Sequence, residues 1–247
     1  MDASLPTLWG FGLVLLRTVG LCMTAPLIGV RVVPGRVRIG LAFALAMAIH
    51  SGAGAPAVPL PATLAGLGLA AAVETVTGLL GGLSARWVLD AALAAGHVAG
   101  LSAGLGFSAL IDPISGAESN GLSQLLSAGA QVAALSMGVH REAVAWLARA
   151  VMTWPPGSTP ALGALAAQVI GHGLLAIVLA VRLAFPVMAA VLLGHATMGV
   201  MSKMAPQLSL SNVGFSIALL CGGLGIYLSA PAIAELVARA AVTAFQG

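Results

Sequence analysis

Residues 201–215, MSKMAPQLSLSNVGF, set a polar, proline-led break (Pro206, Gln207, Leu208, Ser209, Leu210, Ser211, Asn212) between two strongly apolar runs. In hydrocarbon, non-helical backbone is tolerated only where protein buries it or where it lines a wet cavity. The break therefore predicts contact with other protein or with a water-filled path. The flanking runs are apolar enough for a bilayer: residues 161–204 are long enough for two spans and 213–229 for one. Arg182 and Pro186 mark the expected bend of the first, since an interior proline removes a helix bond, and Pro231 opens a short tail carrying Glu235 and Arg239.

The rest of the chain has the same character. It is 60% hydrophobic and 7% charged, against roughly 25% charged in soluble domains, so it cannot cover itself with a solvated surface. Further apolar runs occupy residues 8–30, 37–50, 62–83, 87–111 and 122–140, separated by a proline-rich loop at 51–61, a turn-rich stretch at 106–122 and an amphipathic piece at 141–152. The expected fold is an all-α membrane protein. It has about six to seven apolar helices arranged as bent hairpins, with short amphipathic pieces, in a single integral membrane domain over residues 1–247. The first run has no positive leader and no clean cleavage site, and is expected to stay in the mature protein. Arg31, Arg36 and Arg38 point the loop after it to the cytoplasm. Simple alternation then puts Arg86, Arg141, Arg149 and Lys203 inside, and Asp112 and Glu118 outside.

Net charge is +3 from ten basic residues without a cluster, which argues against a nucleic-acid surface. Cys22 and Cys221 lie in separate apolar runs and read as small hydrophobes rather than a disulfide or metal pair. Gly100-Leu101-Ser102-Ala103-Gly104 fits the G-x-S-x-G nucleophile pattern, with His140, His172 or His195 as a conceivable base. That motif needs a strand and a sharp turn, and here it sits inside a helical run. The five histidines show neither a close pair nor carboxylates at ligand spacing, so no metal, no cofactor and no catalytic group is expected.

Small residues and two buried charges are more informative. Lipid tails give helices no hydrophobic reason to associate, so close packing must supply it. Gly78 and Gly82 form one small-residue stripe, and Gly96, Gly100 and Gly104 another. Glu74, Gly78, Gly82, Arg86 and Asp90 recur every fourth residue and predict a protein-facing stripe. Arg17 and Glu74 lie mid-run, where an ionisable group is costly and pairs or faces water. Either they line a transport path or they form a structural ion pair between the first and third runs. In the turn-rich stretch, apolar Phe107, Ile111 and Ile114 alternate with Gly106, Ser108, Asp112, Pro113, Ser115 and Gly116, a composition that breaks helices. Its apolar members are suited to closing a narrow pore by excluding water.

The order of these landmarks resembles the FliR family of flagellar export proteins and its SctT relatives in virulence-type secretion. Arg17 with Ala25-Pro26, then Pro34 with Arg36 and Arg38, is similar to the family's opening hairpin, and Glu74 with Gly78 and Gly82 to its next element. Residues 104–113, GLGFSALIDP, resemble the segment leading to its Asp-Pro loop. Gly138-Val139-His140 with Trp154-Pro155-Pro156-Gly157 resembles its middle region. Phe185-Pro186 and then Lys203, Ala205-Pro206-Gln207-Leu208 and Asn212 resemble its closing signature. Val213 stands where the family usually has an aromatic. The resemblance implies a subunit of the flagellar type III export gate in the bacterial inner membrane, at the basal body, assembled with FliP-like and FliQ-like subunits and contacted by an FlhB-like protein. It implies a FliP-like part at 1–160 and a FliQ-like part at 161–247, no catalytic residues, and a plug near Asp112-Pro113 in a pore for unfolded export substrates. His140 and the Pro-Pro-Gly pattern favour the flagellar over the virulence system. A secondary transporter or channel is the alternative class, but the internal repeat it would show is not evident.

Overall fold

The computed structural model describes residues 5–29, 33–103, 121–158, 160–204 and 210–246, which form seven α-helices and no strand. They are α1 (Leu5–Thr24), α2 (Gly35–Gly52), α3 (Leu64–Ser102), α4 (Gly121–Ser136), α5 (Val139–Thr153), α6 (Leu162–Met204) and α7 (Leu210–Gln246). The all-α membrane fold expected from composition is the one observed. Four helices are individually long and apolar enough to cross a bilayer, and α4 with α5, bent by 61°, form a broken pair.

Three expectations about breaks are corrected. The runs at 62–83 and 87–111 are joined in one helix of 39 residues, α3, because Ser84, Ala85 and Arg86 between them carry no helix-breaking signal. Arg86 is therefore an intrahelical residue and not a loop charge reporting orientation. Pro186 does not divide residues 161–204, since α6 runs unbroken for 43 residues, and α7 continues through Pro231. A proline removes one helix bond, at the carbonyl four residues earlier, and apolar helices tolerate this when their surroundings re-satisfy that group. At about 1.5 Å per residue, α3, α6 and α7 each measure roughly 55–65 Å, about twice a 30 Å hydrocarbon core.

The contacts group the chain into two units. The first comprises Met1–Val88, Leu135–Gly173 and Ala240–Gly247. Here α1 and α3 run parallel and touch backbone to backbone. A Cβ on Gly78 would overlap the carbonyl of Arg17 and lie 2.9 Å from the Leu21 nitrogen, and one on Gly20 would overlap the Thr75 carbonyl. Gly82 meets Ala25 in the same way, at 2.7 Å. The Thr24 hydroxyl donates across this seam to the Leu79 carbonyl (2.9 Å). On its other side α1 packs on α2 and α5, where Val14, Ala46 and Val151 form a small core under Phe11, Leu15, Ile49 and Ala53. The indole of Trp146 in α5 packs against Gly81 of α3, and that of Trp87 in α3 against Gly173 of α6.

The second unit comprises Leu89–Ala134 and Leu174–Arg239. Within it Gly96 of α3 approaches Ser123 of α4, its absent Cβ 2.5 Å from the Ser123 Cα. Helices α6 and α7 run antiparallel, with Gly225 against Pro186, Val187 and Ala190, Gly222 against Val191, and Gly194 against Cys221.

The buried face of α3 continues through Glu74, Gly78, Gly82, Ala85, Val88, Ala92, Ala95 and Ala99. The every-fourth-residue stripe read from sequence stays on this face only as far as Gly82. A four-residue step overshoots the helical repeat by about 40°, so Arg86 is half-buried and Asp90 exposed.

Replacing Gly78 by Leu should collapse the α1–α3 seam, because the obstacle is backbone and cannot swing aside. The loss should exceed the roughly 1–3 kcal/mol of ordinary overpacking. Gly68→Leu, on the same helix with open space around it, should leave the melting temperature of the detergent-solubilised protein within a few degrees of the parent. Comparable melting of the two variants would show that the seam is not a close contact.

Candidate functional site

The α1–α3 seam positions a buried charge centre. Arg17 sits one turn before Gly20, and Glu74 one turn before Gly78, so the glycine contacts that draw the two backbones together also bring these side chains face to face. Both are 0% exposed. Arg17 Nε donates to Glu74 Oε2 at 2.6 Å. Arg17 Nη1 donates to the carbonyls of Ala150 (2.8 Å) and Trp154 (3.0 Å), at the C-terminal end of α5. Glu74 Oε1 accepts from the backbone N–H of Gly157 at 2.9 Å.

The pair thus clasps the segment that leaves α5. Trp154 is the C-cap residue in extended conformation, its N–H returning to the Ala150 carbonyl. Pro155 and Pro156 follow, and Gly157 holds φ at +81°, a left-handed value that favours glycine. That turn aims the Gly157 N–H at Glu74. Two charges buried together are stabilising only when their remaining hydrogen-bond capacity is met. Here both carboxylate oxygens and two of the three guanidinium nitrogens have partners, while Nη2 is buried without a hydrogen-bond partner. The cation also faces the negative end of the α5 dipole. The same logic recurs nearby, where Arg149 Nη2 donates to the Phe245 carbonyl in the last turn of α7 (2.8 Å).

Of the residues singled out in the sequence, the structure joins Arg17 and Glu74 and places Gly78, Gly82 and Gly96 against neighbouring backbone, with Gly100 buried. Lys203 is exposed in the last turn of α6, and Asn212 lies in the first turn of α7. Gly104, Gly106, Phe107, Ile111, Asp112, Pro113, Ile114, Pro206 and Gln207 lie outside the described residues. The nucleophile pattern is excluded in form: Ser102 ends a helix and donates to the Val98 carbonyl (2.9 Å). Among the described residues no three His, Cys, Asp or Glu side chains converge as metal ligands. Sequence reading missed Ala150, Trp154 and Gly157 as partners of the charges. The only trace of their role was a glycine placed directly after two prolines.

Residues 8–243 match the family of bacterial export proteins, family 1. The chain belongs to that family. Among similar proteins is the flagellar biosynthetic protein FliR of Escherichia coli K12, 30% identical over 84% of this chain and 79% of its own length. Another is the flagellar biosynthetic protein FliR of Pectobacterium carotovorum, 29% identical over 88% of this chain and 82% of its own. This export protein is a component of the flagellar, type III protein export machinery, and its long apolar helices seat it in the bacterial inner membrane.

Removing one partner of the clamp should be costly, because the other charge stays buried and unpaired. Arg17→Leu or Glu74→Leu should each lose about 3–5 kcal/mol. The double variant Arg17→Leu/Glu74→Leu removes the unpaired charge but orphans the Trp154 carbonyl and the Gly157 N–H, at roughly 1–3 kcal/mol each. It should remain less stable than the parent in thermal melts, and limited proteolysis should cut faster near Pro155. A fully stable double variant would mean that the backbone contacts contribute little.

Proposed function

We propose that this chain is a non-catalytic core subunit of the flagellar export gate, assembled with FliP-like and FliQ-like membrane subunits and an FlhB-like protein, lining and closing the path of unfolded export substrates. The observation that carries this reading is the match over residues 8–243, which takes in both units and so argues for the role of the whole subunit. The large apolar side chains exposed along α2, α3, α6 and α7, among them Ile39, Leu69, Phe185, Leu193 and Tyr227, support it, since they must be covered by lipid or by neighbouring subunits. The ionisable groups brought together inside the first unit serve as a brace, which fits a structural subunit better than an enzyme. Both relatives named above are flagellar proteins, which favours this system over virulence-type secretion.

In the same reading, residues 1–160 form the FliP-like part and 161–247 the FliQ-like part. The segment with Phe107, Ile111 and Ile114 is assigned as the plug in this reading: its apolar side chains suit the exclusion of water from a constriction, and its glycine and proline are residues that disfavour helix. Disrupting the gene should abolish motility and secretion of flagellar substrates, and the full chain should restore both. Deleting residues 108–115 should leave the complex assembled but membranes leaky to ions and small solutes, read as conductance or dye entry. An unchanged barrier with intact assembly would place closure on another loop or subunit.

A further inference from the structure

Residues 53–63, AGAPAVPLPAT, join α2 to α3 without a single ionisable side chain. Their first half folds back over the start of α1 as a strap. The Ala55 N–H donates to the His50 carbonyl (2.9 Å), and the Val58 N–H to the Pro6 carbonyl (3.0 Å). Two left-handed residues make the reversal, Gly54 at φ +81° and Ala55 at φ +51°. Only glycine enters that region freely, so at Ala55 the strap is held shut against its own backbone preference.

His50, in the last turn of α2, lies under this strap and is 8% exposed. Its ring stands edge-on to Phe11 of α1, with centroids 5.7 Å apart and planes at 74°. The imidazole and the Pro56 carbonyl converge on Gly10: a Cβ there would lie 3.6 Å from His50 Cε1 and would overlap the Pro56 oxygen. Nδ1 is buried without a hydrogen-bond partner. Gly54, Ala55 and Ala57 are themselves exposed, so the strap covers the ring as a single layer.

No described charge nearby compensates a cation at this position. On α1 the one charged residue is Arg17, bound to Glu74. On α5, which packs on this hairpin through Val151, Arg149 is turned to the Phe245 carbonyl, and His140, Arg141 and Glu142 lie at the other end of the helix. Arg36 and Arg38 precede His50 on α2 by roughly 18–21 Å. Helix α2 is not among the helices that are individually long and apolar enough to cross a bilayer, and burial lowers the pKa of His50 from its ordinary value.

We propose that His50 is a proton-operated latch: neutral, it lets residues 53–58 close over the first turns of α1, and on protonation it releases them. An imidazolium carries two N–H donors, and in the closed strap the one on Nδ1 has no acceptor. With the strap open the ring is hydrated and titrates near about 6.5. Above that pH it is neutral in both forms and closure is unaffected. Below it the open form binds a proton that the closed form does not, so closure weakens by about tenfold per pH unit until the closed form is protonated as well. Val58 also packs on Gly157, where a Cβ would meet its Cγ1 at 2.8 Å, so the latch acts beside the turn that Glu74 holds. It is independent of the export-gate reading, since ring and strap both belong to this chain.

The test is amide hydrogen exchange of the full chain in detergent at pH 7.5 and pH 5.5, corrected for the intrinsic pH dependence of exchange. Protection of the Ala55 and Val58 amides should fall by about tenfold at pH 5.5 in the parent, while peptides from the α1–α3 seam, residues 75–82, keep theirs. His50→Phe and His50→Gln, which carry no titrating ring, should show no such pH dependence. His50→Lys should leave the strap less protected than in the parent at pH 7.5. A strap equally protected at both pH values in the parent would overturn the proposal. So would the same pH response in His50→Phe and His50→Gln, or a loss of protection in the parent that extends equally to the seam.

Discussion

The first unit is organised around one interaction, the ion pair of Arg17 and Glu74. It joins two helices directly and a third through backbone: Arg17 reaches the carbonyls that end α5, and Glu74 takes the N–H of Gly157. An ion pair alone would be weak support, because desolvation can outweigh its attraction. What turns the balance is that the charges also meet backbone groups a helix end would otherwise leave unsatisfied. The price of burying two charges is thus met by backbone groups that needed partners in any case.

Cohesion also comes from the absence of side chains. Gly20, Gly78, Gly82, Gly96 and Gly225 each let a neighbouring backbone or small residue approach where a Cβ would intrude. In lipid such contacts are the main non-polar attraction available between helices. The two devices cooperate at α1–α3: glycines set the separation and the charges fix the register. A register shift of one turn would move Arg17 away from Glu74 and lose both.

Composition made the all-α membrane class legible, because 7% charged residues cannot solvate a surface. Arg17 and Glu74 stood out for the same reason, as expensive groups inside apolar runs. The limits of the helices were less legible. Pro186 read as a bend between two spans and Pro231 as the start of a tail on local rules, yet each removes only one bond from helices of 43 and 37 residues. The clasp on Gly157 was hidden for a different reason, since a backbone N–H belongs to almost every residue and leaves no mark in composition. The drift of the α3 stripe shows a further limit: a spacing of four follows a helix face for two turns and then leaves it, so Arg86 and Asp90 read as members of a surface they do not share.

The clasp also sets an order in time. Glu74 and Gly157 are 83 residues apart, and at about 5–20 residues per second a ribosome needs roughly 4–17 s to make the chain between them. During that interval α1 and α3 can already be inserted and paired, but the α5 carbonyls and the Gly157 N–H do not yet exist to complete the charge centre. The nascent protein therefore passes through a stage in which a buried pair is only partly satisfied. Synthesis of the Trp154–Gly157 turn ends that stage.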